Sequence, residues 1–548
     1  MKNIHLLLFS ITLFTLFFAC SPKESETTLI VLSTTDLHGH VFPWNYYANT
    51  PDERHSLLKA ASVIDSVRSI HTNTLLFDAG DWLQGNPFAE YFAREDTASY
   101  YPLIQAANMM HYDAFVIGNH EFNFGIELLN KRIAQAEFGV LGGNVIDLET
   151  GDIAYTPYIF REIDGFKVAI IGLTTPGSAI WDRPRVEGRL AFKDGVEQGK
   201  VLADEVRELG ADVIIFLIHS GIGPGSSYTS ETVPEENFGQ RLVDEIPGIH
   251  LLITGHSHRL IEDTNLTGAA NPEGVPVIMA GRWASHVGFS ELLLRRGNDG
   301  YAKVNVGRNI AIPVEPFAPQ RTMYESLVDS HEHVKEFVNQ PVATTNSGWD
   351  ASDARLFDRP ITDLIQHVQM RATGADISLA SVFNPSVSFG PGDITRRDLA
   401  GLYPFENTLF VKRISGKDLR AALEFSARFY AQTEPGNTPE PSGITPGFNF
   451  DVAAGVHYEM DLSQPVGQRI KNLRFRNRPV SDNQMFTLAV NSYRAVGGGD
   501  YDMIANAEVI KEIDTPVRVL IENYLKTRGS IEPADVSENN WKILNLPN

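Results

Sequence analysis

Short, wholly apolar runs alternate along the first half of the chain with stretches in which apolar positions recur every three or four residues. Leu29 to Leu32, Thr74 to Phe77, Ala114 to Ile117, Val213 to Ile218 and Leu251 to Ile253 read as buried strands. Ser56 to Ser69 and Gly195 to Leu209 carry the helical period between them. Alternation of this kind from Thr27 to about Val314 predicts an α/β domain with layered sheets. Pro313, Pro316 and Pro319 end the pattern, and the amphipathic stretch Thr322 to Val338 predicts a connecting helix. From about Thr345, helices such as Lys417 to Tyr430 again mix with strands such as Met485 to Val490, so a second domain follows. Its Pro- and Gly-containing stretch Thr433 to Gly447 reads as an exposed insertion. A length of 548 residues agrees with two cores rather than one.

The residues just past each apolar run are more specific than the run itself. The five strand ends lead into Asp36-Leu-His38, Gly80-Asp81, Gly118-Asn119-His120-Glu121, His219-Ser220 and Gly255-His256-Ser-His258. Strand ends can aim side chains into one shared cleft, and the set delivered here is carboxylate, imidazole and amide. Such oxygen and nitrogen donors suit Mn, Fe, Zn or Co rather than soft thiolate chemistry. Two ions about 4 Å apart need a shared ligand, and the carboxylate of Asp81 is the expected bridge. Asp36 and His38 can converge on one ion. His256 and His258 repeat that spacing, Asn119 offers a carbonyl oxygen and His219 an imidazole. Any one of these motifs is weak alone; five in order make a two-metal site the expectation.

Composition sharpens the picture at two points. The balance of 46 basic against 68 acidic residues gives a formal charge of −22, which repels long polyanions and excludes nucleic-acid polymers as partners. A small phosphate ester remains acceptable, because bound cations reverse the field locally. The single cysteine, Cys20, ends an apolar run from Ile4 that follows Met1-Lys2-Asn3, the layout of a secretory signal. Leu16-Phe17-Phe18-Ala19-Cys20 resembles a bacterial lipobox, although Phe17 and Phe18 are bulkier than usual. The expectation is a signal peptide over 1–19, a lipidated tether over 20–28, and an exported protein at the periplasmic or cell-surface side, touching membrane only through lipid on Cys20. With one cysteine, an intrachain disulfide is impossible.

Thr34-Thr-Asp36-Leu-His38, Gly118-Asn-His-Glu-Phe-Asn-Phe-Gly125 and Glu245-Ile-Pro-Gly248 leading to Gly255-His-Ser-His258 make the chain resemble the calcineurin-like metallophosphoesterases. With Gly447-Phe-Asn-Phe-Asp451, Asn491-Ser-Tyr-Arg-Ala495 and Asn539-Asn-Trp541, it is similar to the bacterial 5′-nucleotidase family, and within it to the 2′,3′-cyclic-nucleotide 2′-phosphodiesterase/3′-nucleotidase branch. The resemblance implies an α/β fold in two parts. These are an N-terminal four-layer α/β/β/α domain over 29–315, a linker helix region over 316–344, and a C-terminal α/β substrate-binding domain over 345–548. It implies two divalent metal ions (Mn, Zn, Co or Fe), one held by Asp36, His38, Asp81 and His258 and the other by Asp81, Asn119, His219 and His256. It implies phosphoester hydrolysis by metal-activated water on a small nucleotide, by a monomer.

The same resemblance gives His120 a catalytic role, stabilising the transition state or protonating the leaving group. Many relatives place Asp three residues later; here Asn123 stands, able to orient the ring without charge, as in the cyclic-phosphodiesterase branch. Phe448 and Tyr493 match the aromatic pair that sandwiches the base, and Asn449, Asp451 and Asp500 are weaker candidates for sugar or base contacts. A family arginine near Ser381 to Gly390 is missing, and Arg396 and Arg397 nearby read as a solvated pair. His331 and His333, with Glu332 between them, read as a solvated helix face, and His40 and His286 stay outside the metal set. The leading reading is hydrolysis of 2′,3′-cyclic nucleotides and 3′-nucleotides to nucleoside and phosphate. A 5′-nucleotidase or UDP-sugar hydrolase, and a non-catalytic metal-stabilised binding lipoprotein, are the alternatives.

Overall fold

The computed structural model describes residues 25–547 apart from 229, 298–301, 406 and 514; the leader and Cys20 lie outside the described residues. Among the described residues two six-stranded sheets form the N-terminal domain. The first runs Ala302–Pro313, His286–Arg296, Ser25–Thr34, Thr74–Asp78, Ala114–Val116, Gly139–Leu141. The second runs Leu260–Leu266, Val275–Ala280, Leu251–Thr254, Val213–His219, Phe166–Thr174, Tyr158–Ile163. The central strands of each pair in parallel; antiparallel strands close one edge of the first sheet and both edges of the second. Parallel strands covered on both faces require continuous apolar runs, which is what the sequence supplies.

The layers follow from which side chains pack together. Leu29, Val31, Leu75 and Phe77 of the first sheet meet Val168, Ile170, Ile215 and Ile253 of the second, forming the inter-sheet core. Ile30, Leu32 and Leu76 point the other way, onto Leu57, Leu58, Ala61 and Ile64 of the helix Leu57–Arg68. Ile171, Ile214 and Leu252 pack outward onto Val196, Leu202 and Val206 of the helix Gly195–Glu208. Helix, sheet, sheet and helix thus stack in the expected four layers. The five motif-bearing strands divide between both sheets, three in the first and two in the second.

The helix Arg321–Val338 leads into the C-terminal domain. There a sheet runs Asp451–Ala454, Ile377–Ser381, Met485–Asn491, Leu409–Ser415, Glu508–Ile513. Val411 and Ala489 face the helices Pro360–Thr373 and Val517–Arg528, whereas Phe410, Leu488 and Val490 face the helix Gly416–Ser426. Buried Arg518 pairs with Glu90 at 2.7 Å across the two domains, and Arg183 pairs with Glu512.

Two expectations fail here. His331 is buried, stacked on Phe42 at 4.5 Å and hydrogen-bonded to the Tyr46 hydroxyl at 2.6 Å, because it lies on the same helix face as Met323, Leu327 and Val334. Only His333 is exposed. Arg396 and Arg397 are half-buried rather than solvated: Arg396 pairs with Glu522 at 3.0 Å and covers Phe337, and Arg397 donates to Asn339 at 2.9 Å. Both tie the linker helix to the second domain.

Candidate metal centre

The motif residues converge because two loops are laced together through their backbones. Asp36 N donates to the Gly80 carbonyl at 2.9 Å and His38 N to that of Asp81 at 2.8 Å. Turns at the neighbouring glycines are only part of the explanation. Asp36, His38, Asp81, His256 and His258 themselves have φ between 45° and 72°, a left-handed backbone rare for such residues. Gly80 is required for a different reason: a Cβ there would lie 2.5 Å from His219 Nδ1, at a φ of 102°.

Two overlapping donor groups result. Asp36, His38, Asp81 and His258 offer ligand atoms within 4.8 Å of one another, and so do Asp81, His219 and His256. Asn119 joins the second, its Oδ1 lying 3.0 Å from His219 Nε2. Asp81 is therefore the residue common to both.

Tautomers can be read from carbonyl partners, since a carbonyl only accepts. His38 Nδ1–H donates to Gln84 O at 2.8 Å and His219 Nδ1–H to Ala79 O at 2.6 Å, leaving the Nε2 lone pairs facing the cleft. His38 Nε2 lies 3.0 Å from His258 Nε2, and His219 Nε2 lies 3.1 Å from Asp81 Oδ2. Lone pairs so crowded demand a positive charge between them. The same demand shows in titration. Burial opposes a charged His219, yet the Asp81 carboxylate overrides it and pushes the imidazole up to about 10. Burial holds His38 down to about 3, keeping it a neutral ligand. Burial raises Asp36, but the hydrogen bond and charge of His258 outweigh it and leave the carboxyl below its ordinary value. The donor set fits divalent cations of the harder transition-metal kind.

Residues that sequence reasoning left unassigned hold this arrangement in place. Glu121, 1 % exposed, accepts four backbone N–H groups: Gly118 at 2.6 Å, Asp81 at 3.0 Å, Trp82 at 2.6 Å and Leu83 at 3.3 Å. One carboxylate thus clamps the two ligand loops, and its place inside the Gly118-Asn-His-Glu121 motif was the available signal. Glu236 accepts from His256 Nε2 at 2.8 Å, which fixes that ring and leaves Nδ1 for the cleft. His120 donates its Nδ1–H to Asn123 Oδ1 at 2.7 Å, and its backbone N–H to Asp81 Oδ1 at 2.9 Å. Its ring lies 5.2 Å from that of His38. His40, stacked on Trp283 at 4.9 Å, and half-buried His286 belong to neither donor group.

In the second domain Phe448 is 43 % exposed and Tyr493 half-buried. Arg494 braces both loops, donating to the carbonyls of Phe448 and Gly498 and to Asn449 Oδ1 at 3.2 Å. It also forks onto Asp451 at 2.7 and 2.9 Å. Asp451 is consequently not free for a sugar: both its oxygens are committed to a buried ion pair, and only Asn449's amide nitrogen and exposed Asp500 keep polar atoms to offer. The domains face each other here. Burial raises the Tyr493 hydroxyl, and the charge of Glu236, the partner of His256, adds to that rise.

Comparison with known proteins agrees with this geometry. Residues 29–260 match the calcineurin-like phosphoesterase family and residues 341–506 the 5′-nucleotidase C-terminal domain. The 2′,3′-cyclic-nucleotide 2′-phosphodiesterase/3′-nucleotidase of Salmonella typhimurium is 29% identical over 98% of this chain and 92% of its own. The crystal structure of the calcineurin-like phosphoesterase YfkN from Bacillus subtilis is 30% identical, covering 57% of this chain and 99% of that one, with a TM-score of 0.52. A 5′-nucleotidase precursor from Thermus thermophilus shares the fold over 95% of this chain and all of its own, at 24% identity and a TM-score of 0.63. Shared fold, motifs and donor cluster together place the chain in the calcineurin-like metallophosphoesterases, metal-dependent phosphoric ester hydrolases, among those that carry a 5′-nucleotidase C-terminal domain.

Proposed function

We propose that the protein is an exported, lipid-anchored, two-metal enzyme that hydrolyses 2′,3′-cyclic nucleotides and 3′-nucleotides to nucleoside and phosphate. The observation that carries the reading is the pair of donor groups sharing Asp81, with His120 anchored to that same carboxylate. The substrate choice draws its support from relatives named for this activity in Salmonella typhimurium, Yersinia enterocolitica and Haemophilus influenzae, at 28–29% identity over nearly the whole chain. Asn123, in place of the aspartate many 5′-nucleotidases carry, points the same way.

Asp36, His38, Asp81 and His258 would hold one cation, and Asp81, Asn119, His219 and His256 the other. Bound there, divalent cations supply Lewis-acid charge for the phosphoryl oxygens and activate water. His120, its Nδ1–H committed to Asn123, has Nε2 as the atom that passes a proton to the leaving oxygen. Phe448 and Tyr493 would stack on the base, a contact tolerant of base identity. The leader's apolar run ending at Cys20 supports export and lipidation; Cys20→Ala should release the protein from the membrane fraction.

The deciding experiment supplies the purified protein with Mn²⁺ or Co²⁺ and 2′,3′-cyclic AMP, 3′-AMP, 5′-AMP and UDP-glucose. Turnover of the first two above the others is the expected result. Preference for 5′-AMP or UDP-glucose would overturn the substrate reading, and no turnover of any phosphoester would overturn the enzymatic one.

A further inference from the structure

A neutral amide at Asn123 can present either its oxygen or its nitrogen to His120, and only the oxygen accepts Nδ1–H. Something must fix the amide. Asn123 Nδ2 donates to Asp182 Oδ1 at 2.8 Å, on the side of the amide opposite His120. A carboxylate at that point accepts only, so it holds the amide nitrogen toward itself and the amide oxygen toward the ring.

Asp182 is built for the task. It is 5 % exposed, and its Oδ2 has no hydrogen-bond partner among the described residues, so Asn123 is the polar side chain it serves. Its backbone is fixed on both sides. Its N–H donates to Ser178 O at 3.1 Å, and its carbonyl accepts from Arg185 N at 2.8 Å and Val186 N at 3.1 Å. The preceding residue, Trp181, lies 5.5 Å from the His256 ring. One short segment therefore abuts both a candidate metal ligand and the amide that holds the proposed proton donor. A buried carboxylate with a single hydrogen-bond partner is expensive to maintain, which argues for a purpose beyond packing.

We infer that Asp182 is a positioning residue that orients His120 through Asn123, replacing at one remove the carboxylate that many relatives place directly against this histidine. The consequence for the chemistry is a fixed acceptor at Nδ1, which lets the ring hold both of its protons before the step. As a water oxygen bonds to phosphorus and the phosphorus–oxygen bond to the nucleoside breaks, the electron pair of the broken bond stays on the departing oxygen, which takes the proton from His120 Nε2. His120 is left neutral with its proton on Nδ1, still donated to Asn123. Asp182 gains no proton; it keeps the amide from turning over. Without it, the amide can present nitrogen to Nδ1, which then has to accept; a ring protonated on Nε2 alone would have to become an imidazolate to give that proton up, so it is a poor acid.

This inference rests on the hydrolase reading only in requiring that His120 protonate a poor leaving group. The test therefore compares leaving groups rather than nucleotides alone. For Asp182→Asn, kcat on 3′-AMP, whose alkoxide needs a proton, should fall about 30-fold or more, within the range of general-acid contributions. On 4-nitrophenyl phosphate, whose phenolate leaves unaided, the loss should stay within about 3-fold. Adding Asn123→Asp to Asp182→Asn exchanges the positions of charge and amide and should recover alkoxide turnover to within about 5-fold of the starting enzyme. Asn123→Asp alone sets two carboxylates against each other and should be impaired. Equal losses on both esters, no loss on either, or failure of the exchanged pair to recover would overturn the inference. If the starting enzyme ignores 3′-AMP, the substrate reading has failed, and the same ratio is read on whichever alkyl phosphoester it does cleave. If Asp182→Asn does not fold, the exchanged pair carries the comparison against Asn123→Asp.

Discussion

Glu121→Gln changes one oxygen for an NH₂ group and leaves the shape of the side chain intact. The carboxylate accepts from Gly118 and Asp81 on Oε2, and from Trp82 and Leu83 on Oε1. An amide nitrogen cannot accept, so whichever way the new amide lies, two of the four N–H groups lose their acceptor. The Leu83 contact, at 3.3 Å, is the longest, so the nitrogen should settle against Trp82 and Leu83. Hydrogen bonds to charged groups contribute about 1.5–3 kcal/mol each, and with one of the pair already long the expected loss is about 2–4 kcal/mol. For a domain of this size that lowers the melting temperature by about 5–10 °C. The Asp81 loop keeps only one of its three bonds to this side chain, so affinity for Mn²⁺ should also fall, by about 10–100-fold on the scale of residues that support ligands. Thermal melts in chelator, followed by calorimetric metal titration, measure the two effects separately. A variant melting within about 1 °C of the parent would refute the clamp, because four backbone donors cannot lose their carboxylate without consequence.

Other perturbations test other parts of the architecture. Gly80→Ala places a Cβ 2.5 Å from His219 Nδ1 at a left-handed φ, and should destabilise by about 1–3 kcal/mol while reducing metal per chain measured by elemental analysis; an unchanged metal content would show that the contact is harmless. Arg494→Met strands the buried Asp451 carboxylate, which should cost about 3–5 kcal/mol in urea unfolding of the second domain. Arg494→Met with Asp451→Leu should regain most of that loss, and equal instability of single and double variants would count against the ion-pair account. Asp363 is buried beside Asp358, and burial followed by that neighbour's charge raises its carboxyl far above the ordinary range. A raised acid stays protonated in the folded chain and ionises in the unfolded one, so stability falls as pH climbs from about 4 toward the raised value. Asp363→Asn removes that slope and should gain about 1–3 kcal/mol on the parent between pH 5 and pH 8.5; a difference independent of pH would exclude the raised carboxyl.

The sequence carried the scaffold well because the scaffold follows from simple periodicities. The predicted helix Ser56 to Ser69 is observed as Leu57–Arg68 with Ser56 accepting from Lys59 N at its start, and the linker helix begins one residue before its predicted position. Metal-ligand candidates were legible because each stands directly after an apolar strand. His331 was misread because Glu332, His333 and Lys335 make its neighbourhood polar, although Met323, Leu327, Val334 and Val338 complete a helical stripe with it. Asp182 and Glu236 were beyond reach for another reason. Asp182 lies 59 residues from Asn123, Glu236 lies 20 from His256, and neither belongs to a periodic or motif pattern. Residues that act on other residues leave no spacing signature, since their geometry is set only when the chain closes.

The left-handed ligands show how such closure serves the site. In an extended strand, residues two apart point to the same side but lie about 7 Å from each other, too far to share one ion. Turning Asp36 and His38 into the left-handed region brings that pair to one donor group, and the same turn at His256 and His258 delivers one imidazole to each group. Each such residue costs about 1–2 kcal/mol, so five of them would unfold an isolated loop. They persist because each is cross-braced by groups outside its own motif. Gly80 and Asp81 carbonyls hold Asp36 and His38, the Asp36 carboxylate accepts from His256 N at 3.1 Å, and Glu121 holds Asp81. The bracing is circular: every ligand loop is fixed by a neighbouring ligand loop. A site made this way forms as a unit, which explains why its motifs recur together along the chain while no one of them is informative alone.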